Sequence, residues 1–172
     1  KAYSDILTLL PLKAEVLHKE KVKTVCVDDL DLIHQSELAL SDVRAYVGYS
    51  SRLDEFKKMG DQVSYDRYAS SILSEAEKNQ KLDALVVAKK KALDAITLFE
   101  TINTKREQKL VKNILDLKLG PKDSAAFVIG GIHVDNLSVE LKKNRIQVEI
   151  FTPEGYVEND KGLVEEIKRK LQ

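Results

Sequence analysis

Tryptophan is absent, cysteine and methionine occur once each, and aromatic residues make up 6% of the 172 positions. A core made from such a chain has to be filled by leucine, isoleucine, valine and alanine. The single cysteine excludes an intrachain disulfide. It stands in the apolar run Val25-Cys26-Val27, where a thiol is expected to behave as a small buried hydrophobe. A nucleophilic role would need a neighbouring base or helix N-terminus. The lack of disulfides fits a reducing compartment without identifying one. Net charge is missing too: 28 basic residues cancel 28 acidic ones, which removes any bulk attraction to nucleic acid or anionic membrane. The densest basic run, Lys89-Lys90-Lys91, is followed by Asp94 and Glu100 and reads as a solvated helix face. No apolar run approaches the roughly 20 residues that span a bilayer, and there is no secretory leader pattern. The chain opens on Lys1 rather than Met, so a processed product or a piece of a longer protein is expected.

What is present is 43% hydrophobic and 33% charged residues, a balance that suits a folded chain with long solvated helices. The length fits one domain, 1–172. Apolar residues at Ile6, Leu9, Leu10, Ala14 and Leu17 predict a helix over 3–19, begun or kinked at Pro11. The β-branched residues of 22–27 predict a short strand. Asp28-Asp29 follows at a place suited to capping a helix, and the spacing of Leu30, Ile33, Leu38, Leu40, Val43, Val47, Leu53 and Phe56 predicts one over 30–59, ended by Gly60-Asp61. A second helical stretch covers 65–98, with a break expected near Asn79. Asn103 or Thr104 is positioned to cap a third helix reaching Leu119, before the stop at Gly120-Pro121.

The pattern then changes. Ala125-Ala126-Phe127-Val128-Ile129 reads as a strand covered on both faces, Gly130-Gly131 as a turn, and Asp135 or Asn136 as the cap of a short helix to Lys143. Arg145 to Phe151 alternates like a second strand, and a terminal helix is expected over 161–171. Strands joined by a short helix are normally parallel. The fold expected is therefore α/β and helix-rich. A small, mostly parallel sheet is formed by 22–28 and 124–172, with residues 29–119 as a long helical insertion, and the whole is part of a larger α/β protein.

The segment with most chemical content is Gly130-Gly131-Ile132-His133-Val134-Asp135. In open α/β sheets ligands bind beyond the carboxyl ends of the strands, and glycines there let the backbone approach a ligand. His133 would project into that crevice as general base or metal ligand, with Asp135 beside it. Asp28 and Asp29, at the end of the first strand, would share the rim. Two carboxylates and an imidazole could hold a divalent metal or divide acid–base duty. Plain structural roles account for the same residues: a tight turn, a partly buried histidine and helix caps. His18 and His34 lack a second histidine at ligand spacing. Tyr46, Tyr49, Tyr65 and Tyr68 read as helix-packing residues. Neither a phosphate-binding glycine loop nor a G-x-S-x-G elbow occurs.

The strand, Gly-x-x-His, helix and strand of this unit (Phe127-Val128-Ile129-Gly130-Gly131-Ile132-His133, then Leu137, Leu141 and Ile146-Gln147-Val148-Glu149-Ile150) resemble the closing unit of the TraB/PrgY, ChaN-like and erythromycin-esterase-like superfamily. Val25-Cys26-Val27-Asp28-Asp29-Leu30 likewise resembles a strand that those proteins place before a helical insertion, with Val27-Asp28 where Val-Glu is common. The resemblance implies a hydrolase-like domain, metal-dependent in some members and haem-binding in others. It also implies an additional, earlier Gly-x-x-His, which this chain does not contain. Two other functions remain open. The long helices could form a non-catalytic interaction or scaffold module, binding a protein partner or a second copy, or the glycines could hold a small ligand such as haem. Neither nucleic acid nor a membrane span is expected.

Overall fold

The computed structural model describes residues 27–130, 133–152 and 163–171, and its regular structure is helical. Helix α1 (Leu30–Met59) starts on Asp29, whose carboxylate accepts from the amides of Asp31 and Leu32 at 3.1 Å each. It ends at Gly60 in the left-handed region at φ 69°, with Gly60 N–H bonded to Lys57 O and Asp61 N–H to Phe56 O. That pairing closes the last turn and favours glycine, since a Cβ disfavours the conformation. Helix α2 (Gln62–Ile72) follows at once, then α3 (Glu75–Asn79). The expected single stretch from residue 65 is thus broken at Leu73–Ser74 as well as after Asn79. Ser74 and Glu77 form a reciprocal capping box that starts α3.

Helix α4 (Ala84–Asp116) then runs for 33 residues, about 50 Å, antiparallel to α1. This corrects the expectation of a helix end near Leu98 and a new cap at Asn103 or Thr104. Thr97, Thr101 and Thr104 each donate their hydroxyl to the carbonyl four residues back, so none competes to stop the helix. Asn103 is buried and accepts from Ser36 Oγ at 3.0 Å, a polar bond between the middles of α1 and α4. Along the seam α4 offers Ala84, Ala88, Ala92 and Ala95, all buried. Small residues three or four apart allow close approach, and Leu53 and Val43 of α1 fill the space opposite.

Three clusters succeed one another along this pair. Near the α2 end, Leu53, Ala69, Ala84, Leu85 and Ala88 are surrounded by Tyr49, Tyr65, Tyr68 and Ile72. Tyr46, Tyr49, Tyr68 and Phe56 stack edge-on in sequence there. The middle cluster joins Val43, Ala92, Ala95 and Ile96 to Leu171 of α6 (Leu163–Leu171). At the far end Leu110 and Ile114 of α4 meet Leu137 and Leu141 of α5 (Val134–Lys143), with Val27, Phe127, Ile129, Ile146 and Val148 packed around them.

The α/β expectation is overturned here: among the described residues no strand or sheet forms, so the small parallel sheet is absent. The runs around Phe127 and Val148 do alternate. Phe127, Ile129, Ile146 and Val148 turn toward α4 and α5, whereas Val128 is 67% exposed; Ile150, in step with Ile146 and Val148, is 52% exposed and lies past the end of that cover. A strand sandwiched by helices would bury both faces. Here the helices absorb one face of each run, and no ladder between the runs is found. The predicted strand 22–27 lies outside the described residues except for Val27, which is not in a strand. The predicted helix 3–19, Cys26 and His18 lie outside as well. Among the described residues no helix is long and apolar enough to cross a membrane.

Candidate functional site

The turn that delivers the histidine is short. His133 N–H donates to Gly130 O at 3.0 Å, and α5 begins at the next residue, two or three earlier than a cap at Asp135 or Asn136 would allow. His133 occupies the cap position without capping the helix through its side chain. Its ring instead points to α4, where Nδ1 lies 3.0 Å from Glu107 Oε1. The ring is 3% exposed and the Glu107 side chain 16%. Asn136, on the first turn of α5, donates Nδ2 to the other carboxylate oxygen at 2.9 Å. Glu107 therefore receives one bond on each oxygen, both from α5.

A carboxylate only accepts, so the bond to Glu107 places the ring proton on Nδ1 and leaves Nε2 of the neutral ring as an acceptor. Among the described residues Nε2 makes no hydrogen bond, and the ring as a whole is 3% exposed. The same edge of the ring faces exposed Gly130, whose imagined Cβ would lie 3.9 Å from His133 Cδ2. A Cβ at Gly130 would meet this edge in ordinary van der Waals contact. Gly131 lies outside the described residues. Beside Glu107, on the carboxylate side rather than the ring side, an open cavity of about 470 Å³ is bounded by Gln108, Val111, Asn136 and Val139.

The acids after Val27 have different partners from those expected. Arg106 clasps Asp28 sideways: Nε donates to Oδ1 and Oδ2 at 2.9 and 3.0 Å, and Nη2 to Oδ2. Asn113 Nδ2 holds Val27 O at 2.7 Å, so α4 anchors the start of α1 twice. Asp29 is the α1 cap. Asp135 lies exposed in the first turn of α5. The carboxylate that meets His133 is thus Glu107, which sequence reasoning passed over together with Arg106 and Asn136. Arg106-Glu107 lies mid-helix in a charged stretch, with no local mark to separate it from solvated neighbours.

Among the described residues no group of three or more His, Cys, Asp or Glu is arranged to hold a metal ion. Both oxygens of Glu107 are already engaged, and Asp28 faces Arg106. The donor set expected for a divalent metal at His133 is therefore not assembled from these residues. Compared with known proteins, the chain matches no family model, no curated protein and no solved structure.

Proposed function

We propose that His133 is the general base of a hydrolytic site and Glu107 its positioning residue. The observation that carries this reading is the 3.0 Å bond from a nearly buried imidazole to a carboxylate, with the opposite ring nitrogen making no hydrogen bond among the described residues. Glu107 holds the tautomer and stabilises the imidazolium that forms when Nε2 takes a proton. The proton comes from a water molecule approaching over Gly130; the resulting hydroxide attacks a carbonyl or phosphoryl centre, the ester C–O or P–O bond breaks, and the imidazolium returns the proton to the leaving oxygen. Asn136 keeps the carboxylate from rotating away. Asp28 and Asp29 enter this scheme only through the structure they hold.

The competing reading is a helical module in which Glu107, bonded by both His133 and Asn136, simply braces α5 against α4. Hydrolysis of p-nitrophenyl acetate, p-nitrophenyl phosphate and bis(p-nitrophenyl) phosphate, measured beside thermal stability, separates the two. The acid–base reading expects turnover of at least one ester, reduced roughly 10²–10⁴-fold in His133→Gln, with a smaller loss in Glu107→Gln. Gly130→Val should slow the same ester with little change in stability, because the position does not require a positive φ. A wild-type chain inert on all three esters, or a His133→Gln variant that is merely less stable and equally active, leaves the brace as the role of this pair.

A further inference from the structure

Lys105, Lys109 and Lys112 recur every three or four residues on α4, which stacks them along one stripe of its surface. Together with Gln108, Leu32 and the acids Asp29 and Asp31 they line an open cleft of about 480 Å³ between the first turn of α1 and the C-terminal half of α4. Elsewhere Lys58, Lys78, Lys91, Lys143, Lys168 and Lys170 each lie within 3.1 Å of a carboxylate, while Lys81, Lys89, Lys90, Lys118, Lys122 and Lys142 have no ion pair among the described residues. Among the described residues the three cleft lysines have no ion pair at all. Of the two acids present, Asp29 accepts from the amides of Asp31 and Leu32 through one oxygen, and the lining as a whole sets two carboxylates against three ammonium groups. Arg106, between them in sequence, is turned to Asp28.

Like charges at this helical spacing repel one another, and an anion seated among them relieves that repulsion. We propose that this cleft binds the phosphate group of a small anionic ligand. Three movable ammonium groups can each donate to a different oxygen of a tetrahedral anion. Leu32 and the lysine stems provide apolar wall for the rest of the molecule. The amides at the start of α1 take no part, being occupied by Asp29. The cleft uses a different stripe of α4 from Glu107, so the proposal does not depend on the acid–base reading of His133.

The test is thermal stabilisation of the full chain by inorganic phosphate and by pyrophosphate, each against sodium chloride at matched ionic strength. Phosphate should raise the melting temperature beyond chloride, and pyrophosphate more so. The Lys105→Ala/Lys109→Ala/Lys112→Ala variant, altered only at exposed positions, should bind on the order of tenfold more weakly. The single reversal Lys109→Glu should do the same with only one exposed side chain changed. Lys142→Ala/Lys143→Ala, at the end of α5, should bind like the wild type, and so should His133→Gln. Equal responses to phosphate and chloride, or undiminished phosphate binding in both cleft variants, would overturn the site.

Discussion

Replacing Asp28 and Arg106, singly and together, asks whether the first acid after Val27 is committed to structure. Their side chains are 22% and 19% exposed and share a sideways, two-oxygen contact. A fully exposed pair contributes ~0.2–1 kcal/mol, whereas breaking a buried one costs ~3–5 kcal/mol because the remaining charge is stranded. At this depth each of Asp28→Asn and Arg106→Leu should cost about 2 kcal/mol, lowering the melting temperature by roughly 4–8 °C in a chain this long. If the two groups act on each other, the double variant should cost much less than the sum, with a coupling energy of about 1–2 kcal/mol. Urea denaturation of the four proteins, followed by circular dichroism, gives all the terms of the cycle. A coupling below about 0.3 kcal/mol, the usual error of additivity, would refute the reasoning.

Leu53, with 0% exposure amid α1, α2 and α4, should lose about 3 kcal/mol on Leu53→Ala. Leu38→Ala, at a position 55% exposed, should stay within about 0.5 kcal/mol; equal losses in denaturant melts would contradict the packing described. Gly60→Ala should cost about 1 kcal/mol through backbone conformation alone, because φ is 69° and nothing lies within 4 Å of the added carbon; a neutral result would mean that the α1 terminus is not held in this turn. The hydrogen bond from Lys91, followed by the bonds from the Ser74 amide and hydroxyl, holds the Glu77 carboxyl down at about 2, below its ordinary 4.5. A depressed carboxylate stabilises fully above its unfolded pKa, so the advantage of wild type over Glu77→Gln should be complete above about pH 4.5 and fade toward about pH 2. A stability difference that stays constant through that window, by thermal melts at stepped pH, would exclude the capping-box and Lys91 interactions as its source.

Period and punctuation alone located α1 from Leu30 to about Met59, with its cap at Asp28-Asp29 and its stop at Gly60-Asp61, because those features depend on residues within one turn of each other. The helix to Lys143 and the closing helix to Leu171 were legible for the same reason. Whether an alternating apolar run becomes a strand depends on a second run aligning with it. The sequence around Phe127 and Val148 states only that one side wants cover, and α4 and α5 supply it. Asn103 looked like a cap because asparagine can serve a helix end or a buried partner equally well, and Ser36, 67 positions away, decided between them. His133 was visible as a candidate from its glycines, but its carboxylate was not. Which acid meets an imidazole is settled by the packing of α5 on α4, and that contact joins residues 26 apart without leaving a mark in the local pattern of either.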